Sequence, residues 1–517
     1  MTHQFGKNVR FEFILSDRLP IMAWLACVRR QSERINVWHG SHVSRGDGVF
    51  WEGINPTPRE PAAVIRHHFP LSSGGVIDGN QLVFFTPGHV LERLFCIRDS
   101  ESLWVSNSLP LVLAASGSEL SKRYVAYPAE FELITSHDRC FPLQGTKELR
   151  VFYNCNIRVH DDLQYEVEPR VTNYNFSTYQ NYVGSLQKFI EEMLTANGKG
   201  ENRSYLPLST LSRGYDSTAI TVLARKFGVS EALSIKEARI YGPNSENVTD
   251  TADFLGIKLQ SINRLDYAKY GFEAEKLFFV TALADEICFY PFVNSLRGRL
   301  LFVGVHGDSI WDRNAHPVGT WRRDNAGASM QEFRIRTGFV LFPLAFFGWQ
   351  HHADIIRLSR SDEMRPWAVG GTYDRPIPRR IAEEAKLART SFGTKKMAVT
   401  VTAGARGEGA NLSLELQRKL EEHWVDNYSR AMRVTLGVMN RALYSAQDLF
   451  YSLQNSAADI PQQAENHSGS SQFVRNALTS IKYSHFRRKY VRPILPVTFA
   501  AQVTNNMLIH EYAGLLD

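Results

Sequence analysis

The stretch "LSRGYDST" (Leu211–Thr218) gathers Ser212, Gly214, Asp216, Ser217 and Thr218 between an apolar run and a helix-like run. Small hydroxyl and glycine residues at such a junction leave backbone N–H groups pointing outward, and a helix N-terminus adds its partial positive charge. Together these hold an anion, most often phosphate. A carboxylate facing phosphate repels it unless a divalent cation lies between them, so Asp216 reads as a magnesium ligand. The loop lacks the Gly-Lys-Ser/Thr ending of a Walker loop. The competing reading is a plain strand-to-helix turn with Asp216 or Ser217 as N-cap.

A second stretch, "LLFVGVHGDSIWD" (Leu300–Asp312), also ends an apolar run in a glycine-bearing turn, with Gly304, Gly307 and Asp308. Around the two, "SYLPLSTL", "ALSIKEARI", "KLQSINR" and "GRLLFVGVHGD" read as strands, and "STAITVLARKFG" and "ENVTDTADFLGI" as helices. Such alternation predicts a parallel sheet with helices on its faces. The carboxyl ends of neighbouring strands then share one crevice, where Asp216 and Asp308 are expected to meet one metal ion beside a triphosphate. In the alternative, Asp308 only caps the helix "SIWDRN".

Upstream, residues 1 to about 170 alternate short apolar runs with turn signals: "VRFEFIL", "QLVFFTPG", "RLFCIRD" and "SLWVSNS", with a short helix at "PLVLAASG". In "STYQNYVGSLQKFIEEMLTANGKG" the apolar Tyr182, Leu186, Ile190 and Leu194 recur at helical spacing, and glycine ends the run. The domain boundary is placed just before this helix, giving residues 1–175 and 176–517. From about residue 325 the pattern is mostly helical. The polar segment 454–472 reads as a loop or linker, and a helix with a basic face follows, around His485 to Arg492.

The chain has 517 residues, 44% hydrophobic and 22% charged, which suits a globular protein of two or three domains. A net charge of +6 is small for this length and does not argue for nucleic acid. Cys27, Cys96, Cys140, Cys155 and Cys288 are scattered, with no Cys-x-x-Cys pair, so buried free thiols in a reducing compartment are expected. The N-terminus has no apolar signal core, and "GFVLFPLAFFGW" (Gly338–Trp349) is too short to span a bilayer. A cytoplasmic protein without membrane partners is expected.

The first loop resembles the SGGxDS pyrophosphate loop of N-type ATP pyrophosphatases. With "VGVHGDSIW", which is similar to a GHGGDxxFG form, the chain resembles the asparagine synthetase-like family, in the branch of lasso-peptide cyclases and β-lactam synthetases. The "LERLFCIRDSESLWVSNSLPLVLAAS" stretch is similar to that family's amidotransferase-like domain. "DRPIPRRIAEEAKLARTSFGTKKMA" (Asp374–Ala398) resembles its C-terminal stretch, where Lys395 or Lys396 would bind the leaving pyrophosphate with Arg379 or Arg380 nearby. The resemblance implies an N-terminal antiparallel β-sandwich of N-terminal-nucleophile (Ntn) type. An α/β synthetase domain with a parallel sheet and a helical C-terminal part would follow. It further implies ATP and Mg2+ as cofactors, with Leu211, Ser212, Arg213, Gly214, Asp216, Ser217, Thr218, Ile235, Gly304 and Gly307 around the nucleotide and Asp216 and Asp308 on the metal. A homodimer is compatible with it.

Several positions depart from the family. Residue 2 is Thr2 where glutamine-hydrolysing members carry cysteine, and Cys27 lies inside an apolar run, so glutaminase activity is not expected. Arg213 replaces a glycine and is expected either to bring a guanidinium to the phosphates or to an acidic substrate, or to point to solvent. Val305 replaces the glutamate of the synthetases. His306 beside it is a candidate base, with a packed or capping histidine as the alternative, and Ser309 and Asp312 lie one turn along. The aromatic segment 342–371 with His351 and His352 reads either as a substrate wall or as helical core, and the second is favoured.

The expected function is an ATP-dependent, AMP-forming amide synthetase or cyclase that adenylates a carboxylate on a small molecule or peptide and couples it to an amine. Lys396, Lys395 and His306 would be the catalytic residues. The alternatives are an ATP pyrophosphatase that modifies a nucleic-acid base, and a non-catalytic family member acting as a scaffold.

Overall fold

Within the described part of the N-terminal region, runs of β-branched and aromatic residues punctuated by turn residues form β1 (Arg10–Leu15), β2 (Trp24–Arg29), β3 (Arg34–His39), β4 (Ser44–Gly46), β5 (Val49–Ile54), β6 (Leu71–Asp78), β7 (Gln81–Phe85), β8 (Leu94–Arg98), β9 (Ser102–Ser106), β10 (Asp138–Pro142), β11 (Glu148–Phe152), β12 (Cys155–Val159) and β13 (Tyr165–Pro169). The structure is a computed structural model. It describes residues 5–6, 8–121, 134, 136–237, 247–281, 286–315, 328–371, 373–391, 399, 413–427, 429–431 and 500–514. Thr2, Lys395, Lys396, the segment 454–472 and the basic stretch 485–492 lie outside the described residues.

The strands make a seven-stranded sheet in the order β1-β3-β2-β9-β8-β11-β10 and a six-stranded sheet in the order β13-β12-β7-β6-β5-β4. Their inner faces share one core, in which Trp24 of β2 meets Phe50 of β5 edge-on at 5.1 Å and stacks on Phe84 of β7 at 6.0 Å. The pairing is antiparallel except at one edge. There β1 runs parallel to β3, Arg10 opposite Arg34 and Leu15 opposite His39, which corrects the expectation of a purely antiparallel sandwich. The "RD" turn between β8 and β9 has a local cause: the Asp99 carboxylate accepts from Glu101 N–H at 3.0 Å and Ser102 N–H at 2.8 Å. The helix Leu109–Ser116 follows, capped by the Ser108 hydroxyl and ended by Gly117 at φ 59°.

The helix Tyr179–Ala196 begins after β13, capped by Thr178, and buries Tyr182, Leu186, Phe189, Ile190 and Met193. Beyond it the chain builds a five-stranded parallel sheet from β14 (Leu206–Thr210), β15 (Glu231–Ile235), β16 (Lys258–Ile262), β17 (Arg299–Phe302) and β18 (Val340–Phe342), in the order β16-β15-β14-β17-β18. The fold is therefore α/β, with an antiparallel-rich N-terminal region and a parallel sheet after it. The strand β18 lies in a region read from sequence as helical. Val340, Leu341 and Phe342 are all buried, so the strand shows no alternation to announce it. Among the described residues, no helix is long and apolar enough to cross a membrane.

The two regions meet across a buried polar network. Arg334, in the helix Gln331–Thr337, donates to both oxygens of Glu52 on β5 at 2.9 and 3.0 Å and pairs with Glu92 at 2.8 Å. All three side chains are buried. On the same helix Gln331 bonds to Arg93 and to the Asn107 carbonyl, and Glu332 accepts from Ser108 and the Leu109 N–H. A charged triad of this kind is stable only when geometry and hydrogen bonds are satisfied together, so it fixes one docking arrangement of the sandwich on the sheet domain.

Candidate active site

In the parallel sheet the chain leaves β14 towards β15 and β16 on one side and returns on the other through β17 and β18. The switch in winding direction thus falls between β14 and β17, and the crevice beyond the carboxyl ends of these two strands is where open α/β sheets bind ligands. The loop Leu211–Gly214 follows β14, and the turn Val303–His306 follows β17. The structure brings the two expected loops side by side.

The first loop is braced by its own hydroxyls. Ser212 Oγ and Ser217 Oγ lie 2.6 Å apart, the Gly214 N–H donates to Ser212 Oγ at 3.2 Å, and Thr218 Oγ1 donates to the Ser212 and Gly214 carbonyls at 2.9 Å each. Beneath it Thr221 Oγ1 donates to the Thr210 carbonyl at 3.0 Å. The helix Tyr215–Arg225 starts two residues earlier than its sequence pattern suggests, which puts Asp216 in its first turn. Thr218 is buried in this bracing, so its hydroxyl serves the loop's shape. Leu211 is buried below the loop, and Ile235 is buried at the end of β15.

The second loop closes on the first through its glycines. A Cβ on Gly304 would lie 2.6 Å from the Ser217 backbone nitrogen, and one on Gly307 would lie 2.5 Å from Asp216 Cγ. Only glycine permits this approach. Asp308 follows in the first turn of the short helix Gly307–Ile310. His306 takes a left-handed backbone at φ 76°, is 1% exposed, and packs its ring 4.6 Å from Phe346. The base role expected of His306 gains no support from this placement, which is that of a packed ring. Ser309 bonds through its backbone to the half-buried His352, whose pKa is lowered by desolvation, with the Ser309 bond opposing the shift.

A further element completes the crevice. Arg375, just before the helix Pro376–Glu384, forms an ion pair with Asp216, and both side chains are largely buried. Its guanidinium lies over the Tyr373 ring at 4.4 Å, and Tyr373 stacks on Tyr215 at 5.0 Å. Arg379 lies over the other end of this stack, 4.8 Å from the Tyr215 ring, and donates to the Tyr215 hydroxyl. Burial opposes the charge on Arg375, yet Asp216, Tyr373, Asp308 and Asp312 together raise its pKa. Asp312 is pushed upward by burial; the Asn314 N–H and Arg375 oppose that shift, while Asp308 and Asp216 add to it. Asp216 is paired with Arg375, and Asp308 and Asp312 lie near enough for their charges to act on the same guanidinium.

Acidic side chains on both loops bear on whether a cation could be held here. Among the described residues no cluster of three His, Cys, Asp or Glu side chains stands ready as a complete metal cage. Magnesium does not need one, because it is held by one or two carboxylates together with water and substrate phosphates. Asp216 lies in the first turn after one loop and Asp308 in the first turn after the other.

The sequence reading missed Arg375 and Tyr373. The signal was present as "TYDRP", but an arginine before a proline reads as a turn, and nothing local shows that it reaches back to Asp216. Of the two arginines it named, Arg379 joins the crevice. Arg380 instead stacks on Tyr179 at 3.8 Å and pairs with Glu363 and Glu384. In the aromatic segment, Phe346 and Phe347 pack on Phe69 and Phe189, and the His351 ring accepts from the Tyr174 N–H at 3.3 Å. These are core contacts. Cys27 is buried in β2, its thiol pKa raised by burial. No protein-family model matches the chain, and no curated protein matches it.

Proposed function

We propose that this protein is an ATP-dependent, AMP-forming ligase that activates a carboxylate as its adenylate and passes the acyl group to an amine. The observation that carries the reading is the close approach of the loop after β14 to the loop after β17, Gly307 against Asp216, at the switch point of the parallel sheet, with Arg375 paired to Asp216. A nucleotide triphosphate placed there meets loop N–H groups and the N-terminus of the helix Tyr215–Arg225. Asp216 and Asp308 are the residues that would hold magnesium, which supplies neutralisation of phosphate charge. Attack of a carboxylate on the α-phosphate expels pyrophosphate, and that departure requires cationic groups. Arg375 and Arg379 offer two guanidiniums beside the loop, and Lys395 or Lys396 is proposed to add a third cation.

The test is ATP–pyrophosphate exchange with a panel of small acids and peptides, in the wild type and in Asp216→Ala. Exchange that needs a carboxylate and disappears in the variant supports the reading. Exchange that responds only to RNA supports base modification instead. Absence of ATP binding with magnesium present would sink both and leave a scaffold.

A further inference from the structure

Tyr373, Asp374 and Arg375 lead into the helix Pro376–Glu384, and the middle residue is their anchor. Asp374 is 1% exposed. Its carboxylate accepts from the Val369 and Gly370 N–H groups at 3.0 and 3.1 Å and pairs with Arg313 at 3.2 Å. The Arg313 N–H also donates to the Asp374 carbonyl at 3.0 Å. On either side of this fixed point, Tyr373 and Arg375 both reach the loop after β14, and each holds a group there that the ligase reading gives to a ligand.

Arg375 holds the carboxylate. It pairs with Asp216 Oδ2, while Asp216 Oδ1 is buried against the second loop, 2.8 Å from where a Cβ on Gly307 would stand. A guanidinium and a divalent cation repel each other on one carboxylate, so magnesium reaches Asp216 by taking the place of Arg375. Tyr373 holds the helix end. Its ring stacks on Tyr215 at 5.0 Å with the Arg375 guanidinium 4.4 Å away, and its hydroxyl lies 3.6 Å from where a Cβ on Gly214 would stand. Burial and the Asp216 charge raise the Tyr373 pKa; Arg375 and a bond from the Tyr215 N–H to the phenol oxygen oppose the rise. Tyr215 is the first residue of the helix Tyr215–Arg225, so its N–H has no partner within that helix and is one a phosphate oxygen would take.

We propose, on the basis of the ligase reading, that Arg375 and Tyr373 are internal stand-ins for metal and phosphate and that Mg·ATP exchanges with them. Magnesium displaces the guanidinium from Asp216, a phosphate oxygen displaces the phenol from the Tyr215 N–H, and Arg375 turns to the phosphates beside it. A guanidinium serves phosphate as well as it serves carboxylate. Asp374 keeps its bonds throughout, so the exchange needs only two side chains to turn. The pair thus sets a threshold that metal and nucleotide cross together.

The experiment follows two binding events on the full chain: Mn2+ alone, by the paramagnetic resonance of the free ion, and Mg·ATP, by calorimetry. Wild type is expected to bind Mn2+ alone weakly. Arg375→Gln removes the competing cation and should bind Mn2+ about tenfold more tightly, a gain that Asp216→Ala added to it abolishes. Arg375→Lys keeps a cation there and should return Mn2+ binding towards wild type. Tyr373→Phe keeps the stacked ring, and so the fold, but frees the Tyr215 N–H; it should bind Mg·ATP about fivefold more tightly. Contacts that only hold the fold together give unchanged or weaker binding in both variants, and either result overturns the proposal. Should Arg375→Gln fail to fold, Tyr373→Phe decides. Absence of Mg·ATP binding to the wild type overturns the ligase reading itself, whereas wild-type binding without these gains overturns the exchange alone.

Discussion

Arg375 and Asp216 are paired across the crevice, joining a residue just ahead of one helix to the first turn of another. The pair is largely buried, and Asp308 and Asp312 lie close enough to bear on the same guanidinium. Removing the cation takes this partner from the largely buried Asp216, whose charge also acts on Asp312. Arg375→Gln is therefore expected to cost about 3 kcal/mol of folding stability, the magnitude seen when one partner of a buried pair is removed. Adding Asp216→Asn should recover part of that loss, because it removes one of the stranded charges. Urea unfolding of the two variants measures both effects. A loss under about 1 kcal/mol in the single variant would place the pair among solvent-screened contacts.

The two loops approach too closely for any side chain at Gly304. A methyl there would meet the Ser217 backbone nitrogen at 2.6 Å, and backbone does not yield as a flexible side chain does. Gly304→Ala is expected to lower stability by about 1–3 kcal/mol and to abolish ATP binding in calorimetry with magnesium. At Gly307 the methyl meets Asp216 Cγ at 2.5 Å and Cβ at 2.6 Å, and the Cβ does not move when the carboxyl group turns. Gly307→Ala is therefore expected to lose stability and nucleotide affinity as Gly304→Ala does. Wild-type stability in either variant would contradict this account.

Much of the sheet domain was legible because its strands and helices alternate and its loops carry hydroxyls, glycines and acids at strand ends. Ser212 through Thr218 and Gly304 through Asp308 were found on that basis, and the structure sets them side by side. The edge strand β18 was not legible, since Val340–Phe342 is buried throughout and short apolar runs carry no period. Arg375 was not legible for a different reason. Its partner Asp216 is far away in sequence, and no local pattern encodes such a contact. The left-handed backbone at His306 was equally silent. From sequence His306 reads either as a base or as a packed ring, and no local pattern announces its contact with Phe346.

Gly184 sits within the helix Tyr179–Ala196, exposed, with no atom within 4 Å of the position a Cβ would occupy. Its backbone is helical, so alanine fits without strain and reduces the freedom of the unfolded chain. Gly184→Ala is expected to stabilise the protein by about 0.5–1 kcal/mol, read as a rise in the thermal midpoint with ATP binding unchanged. A fall in the midpoint would mean that this face of the helix is covered in solution.

The Glu52–Arg334–Glu92 triad makes stability depend on pH. Burial raises the Glu92 pKa from the ordinary 4.5 to about 8; Arg334 opposes the shift, and Glu52, which occupies both arms of the same guanidinium, adds to it. Between those two values the folded protein keeps a proton that the unfolded chain releases. Stability from this group is therefore fully present below the unfolded value and declines as pH rises through the window, by at most about 1.4 kcal/mol per pH unit. Glu332, raised by burial to about 7, acts in the same direction over the lower part of the range. Glu92→Gln retains an acceptor for Arg334 and removes the titration, so its stability should fall less steeply than that of the wild type, with the Glu332 contribution remaining. Urea unfolding at intervals across the window measures the two slopes. Identical slopes would mean that Glu92 is ionised in the folded state throughout, with Arg334 holding both carboxylates charged.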